Sequence, residues 1–322
     1  MFIRTIMAGA LGLAASLGGA MAQTPVKLTL GYGPASDVTL TLLKLKPDIA
    51  VHLGKSYELD LQEFRGNDMR FRAYLSRALD GATASSNAVV DAAAKNIDLV
   101  IVASISKESS KGFSTSYMVK EDSPVKSVAD LKGKLVGINA HRSSIELWAR
   151  LAAKGAGLNP DTDIRFAVVE FPVQGQALRS GQIDLGAFPQ PFANLEQTKG
   201  GLRVLFTARD VVPFDQETQL LFLRRAVLEK SPQAVRDFLA DLAAATRFYI
   251  EKPDEARKLL IDADVIKMSQ RVYLDMKDYY RDPALRVDVE SMRRMQDLQK
   301  SVGGDTSSVD FAKIVDMSFL PK

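Results

Sequence analysis

Cysteine is absent from the 322 residues, and histidine occurs only as His52 and His141. Without thiols there is no disulfide, no thiolate nucleophile, no iron–sulfur cluster and no cysteine-based zinc site. Two histidines cannot build a multi-histidine metal centre, so no metal and no cofactor is expected. Net charge is also scarce: 42 Lys+Arg stand against 39 Asp+Glu, and no basic stripe runs along the chain. That balance lacks the electrostatic footprint of a DNA- or RNA-binding protein, and no nucleic-acid partner is expected. Beyond the first two dozen residues no stretch is long and apolar enough to span a bilayer. What is present, 46% hydrophobic and 25% charged residues, is the composition of a folded globular chain. At this length two domains are expected in place of one core.

Arg4 is the only charge before Gln23, and the stretch from Thr5 to Ala22 is rich in Ala, Gly and Leu and closes on Ala20-Met21-Ala22. A short positive end, an apolar run and an A-x-A site describe a cleaved secretory leader over 1–22, with glycines and a small-residue site arguing against a membrane anchor. No cysteine is available for a lipid anchor at the processing site. The expected product is an exported protein, in the periplasm.

Alternation at Val26, Leu28, Leu30 and Tyr32, and again at Tyr57, Leu59 and Leu61, predicts strands. Runs at 98–103, 135–139, 164–169, 184–188 and 203–207 predict further strands, separated by helical segments such as 143–154. Alternating strands and helices imply βαβ units and largely parallel sheets. After about Leu223 the pattern becomes helical. Ser231-Pro232 caps a helix to about Ile250, Pro253 starts another, and 288–302 reads as a third. The expected architecture is two α/β lobes with a helical C-terminal tail.

Enzyme signatures are incomplete. Ser104-Ile-Ser-Lys107 and Ser123-Pro-Val-Lys126 fit S-x-x-K, but the partial S-x-N at Ser85-Ser86-Asn87 precedes them and no K-T-G follows. Gly112-Phe-Ser-Thr-Ser116 lacks the last glycine of a nucleophile elbow. Gly31-Tyr32-Gly33 has Ser36 in place of the third glycine of a dinucleotide fingerprint. His141 beside Ser143 and Ser144 has no recognisable orienting partner.

Where parallel strands give way to helices, backbone N–H groups point into a crevice suited to anions. Four such junctions carry fitting residues: Gly33, Pro34 and Ser36; Ser85, Ser86 and Asn87; Asn139 through His141, Arg142, Ser143 and Ser144; and Pro189, Gln190 and Phe192. Plain N-capping competes for the serines, and core packing competes for Phe188 or Phe192. Arg142, a guanidinium next to a helix start, suits a carboxylate or sulfonate.

Three segments then carry a resemblance: Ala78-Leu-Asp-Gly-Ala-Thr-Ala-Ser-Ser-Asn-Ala88, Val128-Ala-Asp-Leu-Lys-Gly-Lys-Leu-Val-Gly-Ile-Asn139, and Phe171-Pro-Val-Gln-Gly-Gln-Ala-Leu-Arg-Ser-Gly-Gln-Ile-Asp-Leu-Gly186 running on to Pro189-Gln-Pro-Phe192. In order and spacing the chain resembles periplasmic substrate-binding proteins of ABC importers, in the nitrate/sulfonate/taurine group. The resemblance implies a bilobal periplasmic binding-protein fold with two chain crossovers. One lobe would comprise 23–116 plus 219–322, and the other 117–218. Ligand would sit between them and be enclosed by hinge closure. A monomer that delivers a small solute to an ABC permease of the inner membrane, performing no chemistry, is implied.

Relatives often carry small residues where this chain has His141-Arg142, and an acid where it has Gln190. Both departures raise local positive potential and point to a small organic anion, a sulfonate or carboxylate, aromatic ones included. Neutral heterocycles such as pyrimidine precursors are bound by other members of the group. The rival expectation is a periplasmic enzyme on the same fold acting on a pyrimidine or small acid, with His141 and Glu146 as its acid/base candidates.

Overall fold

The computed structural model describes residues 24–33, 37–64, 66–303 and 307–322. The leader read at 1–22, together with Pro34 and Ser36, therefore lies outside the described residues.

The chain begins β1 (Val26–Tyr32), α1 (Val38–Leu45), β2 (Tyr57–Glu63), α2 (Asn67–Leu75), β3 (Gly81–Ser85), α3 (Ser86–Ala94) and β4 (Val100–Glu108). It then passes into a second group: β5 (Ser116–Lys120), β6 (Leu135–Ile138), α4 (Ser144–Gly155), β7 (Arg165–Val168), α5 (Phe171–Arg179), β8 (Gly186–Phe188), α6 (Phe192–Lys199), β9 (Leu202–Thr207) and α7 (Ala208–Val211). It returns as β10 (Gln216–Leu223) and ends in α8 (Arg225–Lys230), α9 (Pro232–Glu251), α10 (Pro253–Asp262), α11 (Gln270–Leu274), α12 (Val289–Ser301) and α13 (Phe311–Ile314).

The first sheet runs β2-β1-β3-β10-β4, with β1 parallel to β2 and β3, and β10 antiparallel to both neighbours. In the second group β5 lies antiparallel between β8 and β9, and β6 pairs β7 in parallel. The largely parallel expectation therefore holds only in part. β5 and β10 are the strands that carry the chain across, and each enters its new sheet running against its neighbours.

β4 and β10 show why the first sheet is stable with both faces covered. Val100, Val102, Leu221 and Leu223 point into a core with α9 residues Phe238, Leu239 and Leu242. Ile101, Leu220 and Phe222 point the other way, onto Tyr74, Val89 and Phe311. That is the two-residue period of a strand applied to a doubly covered sheet. β10 itself was not distinguished as a strand by the sequence pattern, because its first half is Gln-Glu-Thr-Gln. The polar residues are buried and paired: Glu217, 1% exposed, accepts from Ser104 Oγ (2.5 Å), Asp288 N (2.7 Å) and Lys107 Nζ (3.0 Å). Burial pushes the Glu217 carboxyl above its ordinary value, and Lys107 opposes that shift.

The two crossing segments start and finish side by side, since Gln216 pairs with Glu108 and Thr207 with Ser116. Asp215 ties them, accepting from Ser109 Oγ (2.7 Å) and Arg209 Nη1 (2.9 Å). The first crossing is also strapped to the tail: Phe113 N donates to Asp278 O (2.8 Å) and Lys107 N to Tyr280 O (2.9 Å). Gly112 permits that approach, because a Cβ there would lie 2.4 Å from Tyr280 N and 2.9 Å from Tyr279 C, both backbone. Gly112→Ala should therefore lower unfolding stability by about 1–3 kcal/mol, the usual cost of forced overpacking. Urea denaturation checks it, and an unchanged midpoint would show that the strap is loose.

Candidate functional site

A cavity of about 500 Å³ lies between the two groups of strands. Five helices begin on its wall: α2 at Gly66 and Asn67, α3 at Ser85, α4 at Ser143 and Ser144, α5 at Glu170 and Phe171, and α6 at Phe192. Their free N–H groups and positive dipole ends converge on one volume, an arrangement that favours anionic groups. Ser143 shows how the local sequence sets one of these starts. Its Oγ accepts from Glu146 N (3.3 Å) and donates to Ala140 O (2.8 Å), capping α4.

Among the described residues of the wall, Arg70 on α2 is the cation, and it is 95% buried (5% exposed). Its Nη1 donates to Thr83 O (2.7 Å) and Thr83 Oγ1 (2.9 Å), and lies 3.7 Å from the buried Asp37 carboxylate. Burial pulls the guanidinium below its ordinary value while Asp37 pushes the other way. Glu63 and Glu170 also line the cavity, so the wall is mixed in charge. Among the described residues, four of the wall each carry a buried side-chain atom with no hydrogen-bond partner in the protein: Arg70 Nε, Asn139 Oδ1, Thr218 Oγ1 and Gln219 Oε1. A buried unpaired polar group costs about 1–3 kcal/mol, and a solute supplying partners recovers that cost.

Of the residues singled out in the sequence, Gly33, Ser85, Asn139, Ser143, Ser144, Pro189, Gln190 and Phe192 share this wall. Phe188, by contrast, is a core residue with no exposure. Ser86 lines neither this cavity nor its neighbour; its Oγ donates to Glu217 O (2.7 Å). Asn87, His141 and Arg142 line a second cavity of about 710 Å³, on the far side of α4's first turn. Arg142 sits in a left-handed backbone at φ 58° with its N–H on Glu146 Oε2 (2.7 Å), and its exposed side chain is not among the residues of the first wall. Glu146 lines the second cavity too, bonded to Arg150 Nε (2.8 Å). Arg70, Phe64, Trp148, Phe171, Thr218 and Tyr279 on the first wall were not found by sequence reasoning. The β2–α2 junction offered the same strand-to-helix signal as the others and could have yielded Phe64, Asn67 and Arg70.

Beside the second cavity, one side-chain amide bridges the two groups of strands. Asn87 Nδ2 donates to Arg142 O (2.5 Å) while its Oδ1 accepts from Ser144 Oγ (2.7 Å), joining α3 of the first sheet to α4 of the second group. Trp148 Nε1 donating to Gln216 Oε1 (2.9 Å) and Gln190 Nε2 donating to Lys277 O (2.9 Å) span the same gap.

With that geometry in place, the family described as NMT1/THI5-like matches residues 57–256. The chain belongs to the NMT1/THI5-like family. A protein of Escherichia coli K12 named for binding aliphatic sulfonates is 26% identical over 258 residues, 80% of this chain and 77% of that one. The alkanesulfonate-binding protein SsuA of Xanthomonas axonopodis pv. citri, solved with MOPS, superposes with TM-score 0.74 at 19% identity, covering 92% of this chain and 99% of that one. The periplasmic nitrate-binding protein NrtA of Synechocystis PCC 6803 gives TM-score 0.72 at 13% identity, covering 92% and 87%. The family member thus has the bilobal periplasmic binding-protein fold, as the resemblance implied.

Asn87→Ala removes both bridging bonds, each worth about 0.5–1.5 kcal/mol. Small-angle scattering should then show a larger radius of gyration than for the parent, while Ser86→Ala, whose bond stays within the first sheet, leaves it unchanged. Superimposable curves for all three would deny Asn87 this bridging role.

Proposed function

We propose that this chain is the solute-binding receptor of an ABC importer, enclosing a small organic anion between lobes formed by 23–116 plus 219–322 and by 117–218. The observation that carries the reading is the convergence of five helix N-termini and the buried Arg70 on one cavity. The sulfonate and nitrate binders among the similar proteins support an oxyanion as cargo. The ligand would meet Gly33, Ser85, Asn139, Ser143, Ser144, Pro189, Gln190 and Phe192, with Arg70 in the part first assigned to Arg142. The leader read at 1–22 would send the protein to the periplasm, where, working as a monomer, it would deliver cargo to an inner-membrane permease. The rival enzyme loses support because its acid/base candidates, His141 and Glu146, line the other cavity.

Trp148 is the chain's only tryptophan and lines the cleft, so its emission is a built-in reporter. The protein from Gln23 onward is titrated with alkyl and aryl sulfonates, carboxylates, nitrate and neutral pyrimidines, following emission and thermal midpoint. An anion at 100 times its Kd adds about 2.7 kcal/mol and raises the midpoint by several degrees. Response to neutral pyrimidines alone would overturn the anionic cargo, and repeated turnover of the ligand would overturn the receptor. Arg70→Lys, which keeps the charge and loses the fork, should weaken the responding anion at least about tenfold. Arg142→Ala should leave its Kd within about threefold, since an exposed charge outside the cleft acts through screened solvent. Equal losses in both variants would return Arg142 to the site.

A further inference from the structure

Aromatic side chains make up 7% of the chain but five of the 23 described residues lining the cleft: Phe64, Trp148, Phe171, Phe192 and Tyr279. They come from both sides. Phe64 leads from β2 toward α2, whereas Phe171 and Phe192 open α5 and α6. Phe171 and Phe192 lie against each other with ring centroids 5.7 Å apart and planes 29° from parallel, forming one broad apolar wall. Each of the three phenylalanines is half-buried and packed on a different core, so each ring is held from behind. Fixed rings on both walls favour a flat π-system over a flexible alkyl chain, because stacking and edge contacts add to plain area burial.

The unpartnered polar atoms add a second requirement. Arg70 Nε can only donate, while Asn139 Oδ1 and Gln219 Oε1 can only accept. An alkyl sulfonate offers acceptors alone and would leave the two amide oxygens without donors.

We propose that the cleft is built for an aromatic acid bearing a hydroxyl or amino donor on its ring, held against Phe64 and the Phe171–Phe192 wall. The acid group meets Arg70 and the helix N-termini, and the ring donor meets Asn139 or Gln219. This rests on the anion-receptor reading and narrows it from organic anions at large to one class.

The test is calorimetric titration of the chain from Gln23 onward with 4-hydroxybenzoate, 4-aminobenzenesulfonate, benzoate, cyclohexanecarboxylate and hexanesulfonate. A hydroxy- or amino-substituted aryl acid should bind at least about tenfold tighter than the saturated acids, and about fivefold tighter than benzoate. Phe64→Leu, of similar volume, should narrow the aryl-to-saturated ratio to within about threefold while the saturated acids keep their Kd. Its thermal midpoint, close to the parent's, would show that it folds. Saturated acids binding as tightly as aryl acids would overturn the proposal and leave the receptor standing. Binding of 4-aminopyrimidine with silence from every acid would overturn both the anionic cargo and this narrowing of it.

Discussion

Strand β10 enters the first sheet between β3 and β4, and neither neighbour has another strand to pair with on that side. Buried backbone N–H and C=O groups must be paired, so the sheet cannot close until the chain has traversed the whole second group and come back. The return is pinned by its own polar residues. Glu217 gathers Ser104, Lys107 and the backbone of Asp288, which ties two strands and the start of α12 to one carboxylate. Because Gln216 pairs with Glu108 and Ser116 with Thr207, the outgoing and returning segments form a double connection, cross-tied through Asp215. A double connection resists twisting while permitting bending, the combination that the proposed hinge closure of two lobes would need.

The same topology makes the site. Helices that follow strands start at one edge of each sheet, and with the two groups facing one another those starts share a cavity. Closure also depends on contacts that no ligand supplies: Asn87 with Ser144 and Arg142 on one flank, and Gln190 with Lys277 on the other. Tyr279, which lines the cleft, lies in the tail segment strapped to the first crossing. Cleft lining, bridging bonds and chain crossings therefore share residues of the same segments.

The strand and helix order could be read from alternation and capping, and most cleft loops from strand-to-helix junctions. Three features escaped for distinct reasons. β10 carries Gln-Glu-Thr-Gln where alternation is sought, and its burial is justified only by distant partners such as Ser104 and Trp148. Arg142 has fitting chemistry in a cleft loop but lines the second cavity, and no local sequence rule marks the non-glycine left-handed residue found there. Arg70 follows the helical pattern of Phe71 and Tyr74 as an ordinary surface position would. Its burial follows from Thr83 and Asp37, which only the assembled sheet brings beside it.

In the anion-receptor reading, Arg70 would meet its ligand with its charge already partly offset. Asp37, fully buried 3.7 Å away, already balances most of its charge, and Glu63 and Glu170 stand on the lining. For the anion receptor proposed above, the described wall would offer short-range partners: helix-start N–H groups and the Arg70 guanidinium. Short-range recognition depends on geometry more than on net charge, so a misplaced oxygen leaves a buried donor unpaired and is rejected at full desolvation cost. In the proposed receptor, selectivity would rest on the positions of its rings and polar atoms, and the double connection and the Asn87 bonds join the two groups that carry them.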